Sequence, residues 1–433
     1  MAAARVPSMS AERAPREPWH DPILRAADRA VERWLPPGRL RSGWWESRVW
    51  LAADPTLFAL LRFTQRFGVV RLGRLGVLIN DARVGRAILL DPTRFRTVGP
   101  GTHGELIDEV IGPRGLLNMD GPDHESLRRT MADLFSAASS AGIAERVSAG
   151  ALAAAAATLD NGGTVDLARL IRIITGRTAY ALLGAPDPPD GDAGYLRTYR
   201  LGEELVAMTV DGARRGLRPR EKQRAEDLVA AMAAGARAGW DADGDSALAR
   251  LRRLGFGYDE ARALVVVIIL AGTETVSSGL PRSLALLIDT GTWDQIPPDD
   301  PAAIDDAIDA CLRLVTPSPM IVRCCVEPTQ IRGHRFRRGQ RILISVHGMT
   351  RTRALFGGRD PGALAVGEPI HRELRHLWFG AGPHFCIGSL LARAELRAVL
   401  AMLRARGPLT VVHRRPSRGV LFPSYAEFIV RRS

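Results

Sequence analysis

The sequence predicts a mainly α-helical domain with small β-sheets, and three observations predict it. Apolar residues recur three and four apart through most of residues 82–290, as they do along the buried face of a helix. Strand-like runs are short and flank that region: VVRLG (69–73) and LGVLIND (75–81) before it, MIVRCCV (320–326) and QRILISVHG (340–348) after it. Neither an internal repeat nor a sharp composition break divides the 433 residues, so one large domain is expected over 36–433.

Taken in order, residues 1–35 are polar and rich in Arg and Pro, which predicts a loosely ordered segment. The runs at 69–81 have a glycine between them and read as a hairpin. Helices are predicted over HESLRRTMADLF (124–135), AERVSAGALAAAAATL (144–159), LARLIRIITGRTAYALLG (167–184), EKQRAEDLVAAMAAGARAG (221–239) and residues 258–287. A shorter helix, AAIDDAIDACLRLV (302–315), follows PPDDP. Residues 356–378 are glycine-rich and irregular, GSLLARAELRAVLAMLRAR (388–406) is helical, and GVLFPSYAEFIVRR at the end reads as a closing hairpin.

Composition narrows the function. At 46% hydrophobic and 24% charged residues, the chain can bury a sizeable core. Lys222 is the only lysine, and the arginines behind the formal charge of +12 are dispersed among acids, which argues against a nucleic-acid partner. The four cysteines, Cys311, Cys324, Cys325 and Cys386, lack paired metal spacing and are too few for a disulfide framework, so a reducing, cytoplasmic setting is expected. No signal peptide is evident, and the apolar run LVVVIILAG (264–272) is too short to span a bilayer, so no membrane partner is expected.

One cysteine has an unusual setting. In FGAGPHFCIG (379–388), Cys386 lies in a glycine loop directly ahead of a helix. Thiolate is favoured by backbone N–H donors and by a helix N-terminus. Gly380 and Gly382 permit close backbone approach, and Gly388 lets a flat ligand lie against the helix that follows. The loop therefore suits a sulfur ligand for a large planar metal cofactor. A second stretch, ALVVVIILAGTETVSS (263–278), interrupts an apolar helix with Gly272 and an acid–alcohol pair, Glu274-Thr275. A third, DGPDHESLRR (120–129), sets His124 and Arg128 four apart on one helical face.

FGAGPHFCIG resembles the haem-binding loop of the cytochrome P-450 family, F-G-x-G-x-H/R-x-C-x-G, at every specified position, with His376-Leu377 similar to its lead-in. The resemblance implies the cytochrome P-450 fold and a soluble, bacterial-type haem-thiolate monooxygenase carrying haem b (iron protoporphyrin IX) with Cys386 as the iron ligand. It implies that Ala271 and Gly272 flank an oxygen-binding groove and that Glu274 and Thr275 relay protons. His124, Arg128, Arg323 and His384 would hold haem propionates, and Phe379, Gly380 and Gly388 would complete the cofactor loop. The expected substrates are O2 and a small apolar molecule, hydroxylated or epoxidised. Electrons would come from a separate ferredoxin and ferredoxin reductase, docking near Arg372, Arg375 and Arg393. Two alternatives stand beside this: an oxidase of the same fold that couples or cyclises without inserting oxygen, and a non-catalytic scaffold.

The match fails in one place. The family's E-x-x-R reads Ala310 to Arg313 here, and the meander arginine falls near Pro361, with Arg359 close by. Asp309, four residues before Arg313, is expected to replace the missing glutamate as its partner.

Overall fold

The computed structural model describes residues 44–112 and 114–433. Residues 45–433 form one compact unit; the segment 1–35, expected to be loosely ordered, lies outside the described residues. Helices α1 (Trp44–Ala53) and α2 (Pro55–Thr64) come first, with the Asp54 carboxylate accepting from the Thr56 and Leu57 amides to start α2. The expected hairpin follows as β1 (Val69–Arg71) and β2 (Val77–Ile79), antiparallel with Val69 opposite Ile79. Then come α3 (Ala82–Leu89), β3 (Phe95–Arg96), α4 (His103–Val110), α5 (Gly121–Ala132), α6 (Ala137–Asp160), β4 (Thr164–Asp166), α7 (Leu167–Leu183), α8 (Asp192–Arg215), α9 (Pro219–Asp241), α10 (Ala247–Arg253) and α11 (Tyr258–Asp289).

Beyond α11 lie α12 (Pro301–Val315), β5 (Met320–Cys325), β6 (Thr329–Ile331), β7 (His334–Phe336), β8 (Gln340–Ser345), α13 (Val346–Met349), α14 (Ser389–Arg404), β9 (Leu409–Pro416) and β10 (Tyr425–Arg432). The main sheet has the order β1-β2-β8-β5-β3, with only β2 and β8 parallel. A second sheet has the order β4-β10-β9, and β6 pairs with β7. Two predicted boundaries move. The strand at 340–348 stops at Ser345, whose hydroxyl accepts from the Gly348 amide and turns the chain into α13. The closing hairpin pairs β10 with 409–416, upstream of the run expected to supply its first strand.

Helix α11 is long and apolar enough to cross a membrane by length and composition, but most of it is buried inside the fold. It packs on α7, α8, α9 and α12 and touches α14. Its far end is fastened by Arg282, 1% exposed, which pairs with Glu46 of α1 and donates to the Val315 carbonyl, the Pro423 carbonyl (3.1 Å) and Ser278 Oγ (3.0 Å). A buried guanidinium needs this many acceptors, because an unpaired buried charge costs several kcal/mol, roughly 3–5.

A second buried ionisable group joins α7 to α14. Thr178 Oγ1 lies 2.6 Å from Glu395 Oε1 and 3.0 Å from the Ile174 carbonyl. One hydroxyl proton can serve both acceptors only if the carboxyl brings a proton of its own. Burial agrees, lifting the Glu395 carboxyl to about 7. Because the folded pKa is raised, the contribution is full below the unfolded value of 4.5 and is lost as pH rises through about 7. Glu395→Gln should therefore remove a stability loss on the order of 3 kcal/mol between mildly acidic and mildly alkaline pH. Denaturant unfolding of the holoprotein across that range checks this; an equal pH slope in both proteins would show that Glu395 is ionised in the fold.

Candidate functional site

The chain between Phe379 and Cys386 closes on itself, with the Cys386 amide donating to the Phe379 carbonyl at 2.9 Å. Two glycines make that possible. Gly380 has φ +81° and Gly382 has φ +71°, where residues with a Cβ are strained. A Cβ on Gly382 would also stand 2.3 Å from the Leu89 carbonyl oxygen of α3. The loop runs into α14 at Ser389, and near Gly388 a Cβ would meet only the Phe135 ring, at 3.9 Å.

Of the four cysteines, Cys386 is the exposed one and the other three are buried. The protein around its thiol still desolvates the thiolate and raises the pKa, while the Gly388 amide and the Arg128 guanidinium work in the opposite direction. The sulfur is thus reachable, soft and served by a backbone donor. Arg128 also donates to the Phe385 carbonyl at 2.5 Å, which anchors α5 to the loop.

The side chains beside this loop are mostly basic. His124, 1% exposed, stacks on His384 with ring centroids 4.1 Å apart. Burial, then His384 and Arg128, depress His124 to about 4, so its ring is neutral at pH 7. Arg323 on β5 is buried and donates to its neighbour's carbonyl, Val322 O, at 2.9 Å; desolvation lowers it to about 10, and it stays charged. Among the described residues a single carboxylate, Asp120, faces this group: His384 Nε2 is 3.1 Å from its Oδ1, while Thr97 and the Val98 amide donate to its Oδ2. Burial works against the charge on Asp120, but those bonds outweigh it and hold its pKa below the usual range. Asp120 precedes α5, as expected of a helix-start residue, yet its carboxylate does not cap that helix. Two guanidiniums, half-buried Arg128 and buried Arg323, against one acid that His384 already engages leave the cluster short of negative charge. A dianionic ligand edge fits that deficit.

The helix residues form a separate group on α11. On α11, Ala271 and Gly272 are exposed and Thr275 is half-buried, so one face of the helix is open there. The Thr275 hydroxyl donates to the Ala271 carbonyl at 2.8 Å, and a Cβ on Gly272 would meet nothing within 4 Å. Glu274 points elsewhere. It is 4% exposed and packed toward α7 and α8, and its Oε1 has no hydrogen-bond partner. Arg172 (α7), Tyr199 and Glu203 (α8) surround it. Sequence reading did not single out these three, because each sits in an ordinary helical pattern.

One expectation is corrected. Asp309 does not pair with Arg313; it forms an ion pair with Arg393 of α14, and Asp305 pairs with Arg397 in the same way. Arg313 instead donates to the carbonyls of Pro361 and Ala363, both at 2.7 Å. A backbone clamp thus stands where a side-chain lock was expected, and Arg359 pairs with Glu368 rather than joining it. Arg313→Ala should strip two part-buried carbonyls of their donor and cost roughly 2–4 kcal/mol. Asp309→Ala should cost about 1 kcal/mol or less. Thermal denaturation of the two variants checks this; equal losses would mean that the clamp is not what holds the meander.

A sequence profile of the family described as Cytochrome P450 matches residues 304–405. The cytochrome P-450 monooxygenase DoxA of Streptomyces sp. (strain C5) is 29% identical over 361 residues, covering 76% of this chain and 81% of the relative. The mycinamicin IV hydroxylase/epoxidase of Micromonospora griseorubida is 27% identical over 310 residues, covering 68% and 72%. Among solved structures, that of CalO2 superposes with a TM-score of 0.73 at 22% identity, covering 88% of this chain and 97% of the other.

Proposed function

On the premise that this chain belongs to the cytochrome P450 family and is a haem b-dependent monooxygenase, we propose that it inserts one atom of dioxygen into a small, largely apolar molecule of specialised metabolism, by hydroxylation or epoxidation. The observation that carries the reading is a reachable thiol, Cys386, beside a partly buried basic cluster that Asp120 leaves under-neutralised. When bound, the haem supplies dioxygen reduction and oxygen transfer to a C–H or C=C bond.

The chain's own residues hold and serve that group. Cys386 would ligate the iron as thiolate, favoured by the Gly388 amide and Arg128. Arg128, Arg323, His384 and the neutral ring of His124 would hold the propionates, while Phe379, Gly380 and Gly388 let a flat ring lie close to the backbone. Ala271 and Gly272 leave room on the open face of α11, where the Thr275 hydroxyl holds a proton and Glu274 stands one residue away as its acid partner. Half-buried Leu270, Met320, Ile321, Val420, Leu421 and Phe422 offer an apolar lining suited to an apolar substrate. The names of the relatives, a monooxygenase and a hydroxylase/epoxidase, support oxygen insertion.

Electrons would arrive from a separate ferredoxin and its reductase in the cytoplasm. Arg372 and Arg375 are exposed and suit an acidic partner. Arg393, expected to join them, is largely buried and occupied by Asp309.

Turnover under labelled dioxygen should give a product carrying one labelled atom; an unlabelled product would favour the coupling or ring-forming oxidase. Thr275→Ala should keep ligand-induced spin shifts while diverting most reducing equivalents to peroxide, and Thr275→Ser should restore coupling. Unchanged coupling in Thr275→Ala would remove that hydroxyl from the relay.

A further inference from the structure

Buried Glu274 and Tyr199 and half-buried Glu203 form a device that the oxygen chemistry alone does not explain. Glu274 (α11) and Glu203 (α8) approach each other across Tyr199, one turn before Glu203 on α8. The Tyr199 hydroxyl donates to Glu203 Oε1 at 3.3 Å and also lies within reach of the Glu274 carboxyl. The close approach of α8 and α11 is set by Gly202: a Cβ there would be 3.0 Å from Leu270 and 3.5 Å from Glu274 Oε1.

The positive charge facing both acids is Arg172 on α7. Its terminal nitrogens donate to the carbonyls of Ala426 (3.1 Å) and Tyr425 (2.8 Å), and its guanidinium lies 4.8 Å from the centroid of the Tyr199 ring. It forms no ion pair with either carboxylate, and its Nε has no partner. Exposed Arg200 lies on the outer side of Glu203.

Counting protons constrains the arrangement. Tyr199 has one hydroxyl proton for two carboxyls, so a second bond through its oxygen needs a proton supplied by an acid. Two ionised carboxylates would also leave a net negative charge beside one cation in a poorly solvated space. Glu274, with an oxygen that no donor reaches, tolerates this best as the neutral acid. Burial raises both carboxyls, Glu274 the further, and keeps the Tyr199 hydroxyl protonated.

We propose that Glu203, Tyr199 and Glu274 form a proton path from the half-exposed edge of α8 to the acid of α11, with one proton shared between the two carboxyls and Arg172 as their common counter-charge. The proposal rests on the reading of Glu274 as the acid of the relay. When Glu274 gives up the shared proton, Glu203, ionised until then, takes one from water at its half-exposed position; the Tyr199 hydroxyl passes its own proton inward to Glu274 and takes that one from Glu203, which is ionised again. No electrons move along the path, and each group ends in the state in which it began. In this scheme Glu203 and Tyr199 are positioning and supply residues, since neither sits on the open face of α11.

Infrared difference spectra of the holoprotein test the shared proton without turnover. Wild type minus Glu274→Gln at neutral pH should contain a protonated-carboxyl C=O band. Glu203→Gln should weaken that band severalfold, because the remaining carboxyl is then matched by Arg172, and Tyr199→Phe should shift its frequency. If Glu203→Gln misfolds, Glu203→Asp keeps the acid and should retain the band.

In turnover, Glu203→Gln and Tyr199→Phe should lower product per reducing equivalent severalfold and enlarge the solvent deuterium isotope effect, with unchanged ligand-induced spin shifts. A Glu274 band indifferent to both variants, or wild-type coupling in both, overturns the path while leaving oxygen insertion intact. A product without labelled oxygen, with the band responses as stated, overturns the monooxygenase reading and leaves the shared proton standing.

Discussion

The site depends on a backbone turn that holds one sulfur outward. The bond from the Cys386 amide to the Phe379 carbonyl fixes the loop, and it forms because Gly380 and Gly382 take left-handed conformations and Gly382 lets the chain pass against α3. The other cysteines lie inside the core, where a thiol is a small apolar group. What distinguishes Cys386 is therefore the conformation of its neighbours rather than any acid or base bonded to it. The position of α14, which begins three residues later, ties this turn to α6 and α12.

Around that fixed point the structure is organised by unequal charge. Asp120 gathers Thr97, Val98 and His384 but cannot balance the guanidiniums of Arg128 and Arg323 together. Behind α11 the imbalance has the opposite sign, with Glu203 and Glu274 facing the one guanidinium of Arg172. Uncompensated buried charge is expensive, so each surplus calls for something more: an anionic ligand edge on one side, a retained proton on the other. Glu395 solves the same problem locally, by keeping its proton against Thr178.

Much of this was legible in the sequence, for identifiable reasons. Long helices such as α7, α9 and α11 announce themselves by period, and the glycine-bracketed cysteine announces an unusual loop. The hairpin of β1 and β2 follows from a glycine between two apolar runs. What was not legible is pairing between distant segments. The partner of β10 is 409–416, whose alternation is blurred by charged residues; Asp309 chooses Arg393, eighty-four positions away, over its helical neighbour Arg313. Likewise Tyr199 and Glu203 look like any surface-to-core turn of a helix until α11 is laid against them. Backbone carbonyls, such as those of Pro361 and Ala363 that hold Arg313, leave no side-chain signature at all.

The central claim is that the Cys386 sulfur binds the iron of the cofactor. It is tested most directly by the optical spectrum of the reduced holoprotein under carbon monoxide, for the native chain and for Cys386→Ser. The account predicts the red-shifted Soret band of thiolate-bound haem in the first and its loss in the second. A native spectrum without that band, or a band that survives the substitution, would contradict it.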